Sequence, residues 1–402
     1  MDRVTLPDVE WRARAGLAEL AEVLGAREGM ARFVGGAVRD TLLGVSVSDI
    51  DIATRHAPER VLDLLRGAEI RAVPTGIEHG TVTAVLESGP VEVTTLRRDV
   101  STDGRRATVA FTDDWREDAA RRDFTMNALY ADPLTGEIFD YFGGLADLER
   151  HHVRFIGDPL QRIAEDHLRI LRFFRFLARF GDVPDPEGLE ACTARAKDLM
   201  ALSRERIADE LLKLLVARDA VHVVALMVER GIFAPVLPEI TAEGVARLEQ
   251  LAGREAATGT PPHAIRRLAA LLPREAGVAE SVGARLKLSN AQRKRLESAT
   301  QPVGSEGPRG LGYRIGVEQA IDRYLLGEGP AEAAVAELTG WQPPALPFSG
   351  GALVARGLSK GPEVARALRQ VEDRWLAEGF PDVARAAAIA DEVVAQALRS
   401  TR

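Results

Sequence analysis

A chain of 402 residues, 46% of them hydrophobic, is too long for one ordinary core at about 150 residues per domain and too apolar to stay disordered, so two or three folded domains are expected. The formal net charge of −8 argues against a generic nucleic-acid binder, although Arg285, Lys287, Arg293, Lys294 and Arg295 face only Glu297 between residues 281 and 300, which leaves room for a local basic track. No apolar run approaches the ~20 residues of a membrane span, the N-terminus has no leader-like apolar core, and the lone Cys192 has no partner for an internal disulfide; these features predict a cytoplasmic protein with no membrane partner.

A helical lead-in is expected over about 8–26. From 31 to 145 short apolar runs alternate with Gly and Pro, and R-F-V-G-G, D-I-D-I-A, G-T-V-T-A-V-L, V-E-V-T-T-L and E-I-F-D-Y-F read as strands of a small mixed sheet, with helices near 36–43, 57–66 and 117–130. In F-V-G-G-A-V-R-D-T-L-L-G a strand ends at two glycines and a helix begins. Such a turn is often only a tight turn, but Gly35 and Gly36 also suit a triphosphate approaching the backbone, with Arg39 one turn later adding charge-assisted hydrogen bonds. Next comes S-V-S-D-I-D-I-A-T, where strand alternation predicts Asp49 and Asp51 on one face and Ile50 and Ile52 on the other. Carboxylates roughly 6.5 Å apart oppose each other's ionisation unless a cation sits between them, and a divalent metal is the natural partner; a pair of solvated-edge acids is the plain alternative.

From Asp158 the pattern turns helical. Asp158 as N-cap and Pro159 in the first turn predict one helix running to Gly181. Along it Arg162, Glu165/Asp166, Arg169, Arg172, Arg175 and Arg179 recur at three- and four-residue steps, a stripe whose plain reading is a solvated face. Further helices are expected at about 203–217, 219–230 and 263–273, and Pro/Gly clusters punctuate 259–262, 301–310 and 341–347. The implied division is a head over 1–145, a helical neck over 146–245 and a helical body and tail over 246–402.

Taken together, G-G-A-V-R-D-T-L-L-G-V-S-V-S-D-I-D-I-A-T closely resembles the signature of class II tRNA nucleotidyltransferases, the CCA-adding enzymes and their bacterial poly(A) polymerase relatives, within the polymerase-beta-like nucleotidyltransferase superfamily. The resemblance continues through T-G-I-E-H-G-T-V, R-R-D-F-T-M-N-A-L, D-Y-F-G-G-L-A-D-L and E-D-H-L-R-I-L-R-F-F-R-F, so ordered motifs cover residues 32 to 180. It implies an α/β head with a polymerase-beta-like palm followed by all-α neck, body and tail. Asp49 and Asp51 would bind two Mg²⁺ ions, and Glu92 in V-E-V-T-T-L-R would be a third carboxylate if an adjacent strand brings it alongside, or else an exposed strand glutamate.

Arg122 would meet phosphate, while Asp123 and Asn127, expected on one helix, would read sugar hydroxyls. Asp166 and Arg169 would serve as an amino-acid template for the base, Asp accepting from an exocyclic amine and Arg donating to ring acceptors. Cytosine and adenine offer that combination; uracil and guanine put a carbonyl where the amine should be.

Arg172, Arg175 and Lys360, just before the Pro362 helix, are the expected RNA contacts. The charged stretch 97–109 resembles the flexible loop that permits the change from C to A addition, and residues 75–82 lack the basic run typical of poly(A) polymerases. The expected function is addition of CCA to tRNA 3′ ends from CTP and ATP, with no obligatory protein partner. A poly(A) polymerase using ATP alone is the nearest rival, and a non-catalytic RNA-binding protein on the same scaffold is an alternative of another class.

Overall fold

Short β-branched runs bounded by glycine become strands here. They are β1 (Ala31–Val34), β2 (Asp51–Thr54), β3 (Arg71–Gly76), β4 (Thr81–Leu86), β5 (Gly89–Thr95), β6 (Arg97–Thr102), β7 (Ala107–Phe111), β8 (Leu129–Ala131) and β9 (Ile138–Asp140). The structure is a computed structural model that describes residues 4–102, 107–359 and 361–400. Seven strands form one mixed sheet in the order β3-β4-β5-β2-β1-β8-β9, with β2 and β5 parallel and the other neighbours antiparallel. Phe33, Ile52, Val82 and Val93 are buried on it, and Ile50 is buried just ahead of β2. β6 and β7 pair separately as a two-stranded hairpin over the charged 97–109 stretch, whose tip, 103–106, lies outside the described residues.

The chain is an α/β head followed by helices; among the described residues no strand follows β9. It divides into two compact units, Met1–Pro238 and Glu239–Arg402.

Three local expectations are corrected. Asp49 is not in the strand: β2 starts at Asp51, and Asp49 lies exposed in the preceding segment, accepting a 2.8 Å hydrogen bond from the Ser48 hydroxyl. The helix expected over 117–130 stops at Ala120; Thr125–Asn127 is a 3-10 turn and β8 follows. The cause is Asp123, whose Oδ1 accepts from the Phe124 N–H and the Asn127 amide and so offers the backbone a non-helical alternative. The helix expected to run unbroken from Pro159 to Phe180 is two helices, Pro159–Glu165 and Arg169–Phe180. Asp166 sits at the break with extended backbone (φ −149°, ψ 107°), its carboxylate taking the Leu168 N–H at 3.1 Å, the same side-chain competition. The expected caps are present: Asp158 accepts from the Gln161 N–H, and the second helix ends at Gly181.

The second unit is helical throughout its described residues and encloses a buried ionic cluster. Asp322, fully buried, takes Arg266 and Arg295, while Arg266 and Arg267 share Glu255. The expected basic track is partly consumed by structure, since Arg285 pairs with Glu239 and Arg295 with Asp322 and Glu318. Lys360 lies outside the described residues; the helix behind it, Pro362–Ala377, has Pro in its first turn. Among the described residues no helix is long and apolar enough to cross a membrane.

Removing one member of a buried ionic cluster leaves its partners uncompensated. Asp322→Ala should therefore cost about 3–5 kcal/mol, read as a lowered urea midpoint of the full chain. A loss below about 1 kcal/mol would show that Arg266 and Arg295 find other partners or water.

Candidate active site

The end of β1, the start of β2, the Arg121–Asn127 segment and the broken helix pair enclose a cavity of about 450 Å³ lined by Gly35, Gly36, Arg39, Asp51, Arg97, Arg121, Arg122, Asp123, Asn127, Asp166, Arg169, Arg172 and Phe176. At the end of β1, Gly35 has φ +70° and ψ −124°, a conformation that needs glycine, and its N–H bonds Leu129 O at 3.2 Å. A Cβ there would stand 3.6 Å from Nη1 of Arg122, so that guanidinium lies against the glycine turn. The helix that follows, Gly36–Leu42, is only seven residues long.

Parallel pairing sets Asp51 opposite Glu92, and the Glu92 N–H bonds Ile50 O. Burial, the Glu92 charge and, behind the opposing pull of Arg122, the Asp49 charge push the Asp51 carboxyl up to about 6. Glu92 thus acts on Asp51 more strongly than Asp49 does; neither Glu92 nor Asp49 lines the cavity itself. Among the described residues no group of three or more His, Cys, Asp or Glu side chains is already arranged to hold a metal ion. A half-buried carboxylate crowded by two others nevertheless fits magnesium, which is held by one or two carboxylates with substrate phosphates and water completing its shell.

The remaining wall is a ladder of buried charge. Arg39 is buried; it donates to Asp40 at 2.8 Å and to Asn127 Oδ1 at 2.5 Å, and its guanidinium lies over the Phe180 ring. Asp123 Oδ2 takes both Nε (2.7 Å) and Nη2 (2.5 Å) of Arg172. Burial alone would raise its pKa, but Arg172, Asn127 and the Phe124 N–H hold it at about 2. With two donors on each oxygen, Asp123 has its four acceptor sites filled. Asn127 keeps one amide hydrogen beyond the one given to Asp123.

Arg122 donates to Tyr130 Oη (3.3 Å) and Asp118 (3.2 Å), and Tyr130 itself donates to Asp118 at 2.6 Å. Burial would raise Asp118, yet Arg122 and Arg121 hold its carboxyl well below the usual range.

At the helix break, Arg169 donates to Arg162 O (2.9 Å), Glu165 (2.6 Å) and Arg121 O (3.0 Å), which uses three of its five N–H groups. The Asp166 carboxylate meets Nη2 of Arg206 at 3.2 and 2.9 Å. Arg175 points to Glu210 at 2.5 Å and, with Arg179, Lys213, Val216, Ala217 and Arg218, lines a separate cavity of about 470 Å³.

Most residues singled out in the sequence therefore meet in one cavity. Sequence reasoning missed Asp118 and Tyr130, which carry Arg122, as well as Arg97, Arg121 and Phe176 in the lining. It also missed Arg206 and Glu210, whose four-residue spacing on a predicted helix was a visible signal.

The chain is similar to known proteins over most of its length. The family model described as Poly A polymerase head domain matches residues 31–154, and the one described as probable RNA and SrmB-binding site of polymerase A matches 184–243. The mitochondrial CCA tRNA nucleotidyltransferase 1 of Mus musculus is 36% identical over 392 residues, 93% of this chain and 89% of that protein. The CCA-adding enzyme of Limosilactobacillus fermentum is 32% identical over 377 residues, 89% of this chain and 92% of that protein. A crystal structure of the Bacillus stearothermophilus CCA-adding enzyme in complex with CTP superposes with a TM-score of 0.71 at 29% identity, covering 90% of this chain and 92% of that one.

The raised Asp51 carboxyl gives a pH-dependent stability with a definite sign. Its contribution is fully present below an unfolded value of about 4 and lost as pH rises through about 6. Asp51→Asn in EDTA should thus gain on the order of 1 kcal/mol over the parent at pH 7–8 and little at pH 4. Urea unfolding across that range checks it; an equal or lower stability at pH 8 would contradict the crowding of carboxylates.

Proposed function

The chain belongs to the class II family of CCA-adding tRNA nucleotidyltransferases, and from that premise we propose that it adds C, C and A to tRNA 3′ ends, consuming two CTP and one ATP and releasing three pyrophosphates. The observation that carries this reading is a single cavity lined both by Asp51, whose neighbour across the strands is Glu92, and by Asp166 and Arg169 at the helix break.

In this reading the Gly35–Gly36 turn lets the triphosphate approach the backbone, and Arg122, braced by Asp118 and Tyr130, turns its remaining N–H groups toward it. Asn127 takes the ribose hydroxyl. Asp123, whose acceptors are filled, holds Asn127 and Arg172 in place instead of touching sugar, and Arg39 fixes Asn127 from the other side. Asp51 and Asp49, with Glu92 opposite Asp51, would hold two magnesium ions, and the ions would supply positive charge for the tRNA 3′-hydroxyl and the leaving pyrophosphate.

Base choice falls to Asp166 and Arg169. Arg169 retains two N–H groups for ring acceptors, and Asp166 Oδ2 retains a lone pair for an exocyclic amine. A carbonyl in that place leaves that Oδ2 lone pair without a donor and sets oxygen against oxygen, at about 1–3 kcal/mol. Arg175, Arg179, Lys213 and Arg218 around the second cavity are the proposed contacts to tRNA phosphates, and Arg172 flanks them. The fully buried lone Cys192 suits a reducing compartment, the cytoplasm in this reading.

The test is incubation with tRNA lacking its last three nucleotides, Mg²⁺, and CTP and ATP separately and together, with 3′ ends sequenced. Both nucleotides should give -CCA and CTP alone -CC, while Asp51→Ala should lose at least about a thousandfold in rate. Long A tails from ATP alone on diverse RNA would install the poly(A) reading, and tRNA binding without incorporation would install the binding-protein reading.

A further inference from the structure

The segment that carries Asp49 is held differently from the rest of the pocket. Asp51 lies in a strand with Glu92 opposite, but Asp49 precedes that strand; Ser46, Ser48 and Asp49 are exposed and Val47 is half-buried. The end of the Gly36–Leu42 helix sets where the segment begins, for the Gly44 N–H bonds Thr41 O at 3.1 Å and the Val45 N–H bonds Asp40 O at 2.8 Å. Whatever fixes that last helical turn therefore helps to aim Asp49.

Thr41 is held from outside its helix. Its hydroxyl donates back to Ala37 O at 2.7 Å, which leaves its lone pairs to accept, and the indole Nε1–H of Trp11 donates to it at 2.8 Å. Trp11 belongs to the 3-10 turn Glu10–Ala13 of the lead-in, and its ring meets the buried Phe33 of β1 edge to face, 4.9 Å between centroids. The lead-in is anchored on both sides of this turn. Beside β9, at one edge of the sheet, the Leu6 N–H bonds Gly136 O and Val4 O takes the Ile138 N–H. At the β4–β5 turn Arg14 donates to Ser88 O at 2.6 Å and the Ser88 hydroxyl donates to Ala15 O at 2.7 Å. Trp11 is thus a fixed donor on a strap tied to two parts of the sheet. Trp11 and Arg14 also line a cavity of about 610 Å³ with residues 44–47, so the segment has open space beside it and Thr41 is its fixed end.

We infer that Trp11 is a positioning residue of the metal site, which through its hydrogen bond to Thr41 holds the start of the 43–49 segment and so keeps Asp49 near Asp51. The inference rests on the metal role proposed for Asp49. Without the bond the segment samples the cavity, the fraction of molecules with Asp49 in place falls, and metal binds more weakly by that fraction. Asp166 and Arg169 stand on other elements, so base choice is untouched. A role limited to holding the fold would lower stability and leave the metal requirement where it was.

The experiment compares the full-length parent with Trp11→Phe, Thr41→Val, Thr41→Ser and the Trp11→Phe/Thr41→Val double variant. Trp11→Phe keeps a ring against Phe33 and loses the donor; Thr41→Val keeps the shape and loses the acceptor. Three quantities are read: hydrogen exchange of residues 43–49 in EDTA, Mn²⁺ affinity by EPR of the free ion with a non-hydrolysable CTP analogue present, and the Mg²⁺ concentration giving half-maximal CTP addition to tRNA lacking its terminal CCA. Trp11→Phe and Thr41→Val should each speed exchange of the segment and raise both metal constants by about threefold to tenfold, the worth of one hydrogen bond, with the CTP-to-UTP ratio of kcat/KM unchanged. Thr41→Ser, which keeps the hydroxyl, should match the parent, and the double variant should be no worse than either single one. Unchanged metal constants in Trp11→Phe and Thr41→Val, or effects that add in the double variant, would overturn the inference. A fallen CTP-to-UTP ratio with intact metal constants would overturn it too. If Trp11→Phe does not fold, Thr41→Val against Thr41→Ser carries the same comparison. A parent that adds nothing to tRNA, or adds it without metal, would instead defeat the proposed function.

Discussion

Two nitrogens of Arg172 close on one oxygen of Asp123 inside the protein, and the rest of the pocket is built outward from that contact. A buried carboxylate is tolerated only when its lone pairs are filled. Filling those of Asp123 requires the Phe124 N–H, which ends the preceding helix, the Asn127 amide, which fixes the 3-10 turn, and Arg172, which belongs to a helix about fifty residues away in sequence. One desolvated charge thereby joins the segment after the hairpin to the helix that carries the base-reading notch. Glu210 continues the alternation by holding Arg172 and Arg175, and Arg39 continues it on the other side through Asn127.

The pocket is asymmetric in how its charges are met. On the ribose and base side every acid has its arginine: Asp118 with Arg121 and Arg122, Asp123 with Arg172, Asp166 with Arg206, Glu165 with Arg162 and Arg169. On the sheet side Asp51 faces Glu92 across a parallel ladder and is pushed toward neutrality. Satisfied pairs give rigid positioning; the crowded pair stores a demand for external cation. In the proposed reaction those are the two requirements of a template-independent transferase, a fixed mould for the base and a place for metal and phosphate to assemble with the substrate.

Much of this was legible in the sequence because the chemistry is local there. The glycine pair, the D-I-D strand entry, the Asp158–Pro159 helix start and the template residues stand in short ordered runs. Glu92 was legible only as a possibility, since its place beside Asp51 depends on which strands neighbour each other. Four strands escaped notice: β6 and β7 fall in and beside the charged stretch that resembles a flexible loop, β3 has a mostly exposed surface and contains Pro74, and β8 is three buried residues with no alternation. The break at Asp166 was hidden because polar residues keep their three- and four-residue spacing straight across it, so periodicity alone read one helix. Asp118, Tyr130 and Arg206 act through partners distant in sequence or on another element, and only the fold brings them together.

The account turns on one cavity serving sugar, phosphate and base at once. A crystal structure of the chain with a non-hydrolysable CTP analogue and Mg²⁺ tests that most directly. The account predicts the triphosphate beside Gly35, Gly36 and Arg122, metal on Asp51, and the cytosine amine within hydrogen-bond distance of Asp166 with Arg169 on its ring acceptors. A nucleotide bound outside this cavity, or seated in it with the base turned away from Asp166 and Arg169, would contradict it.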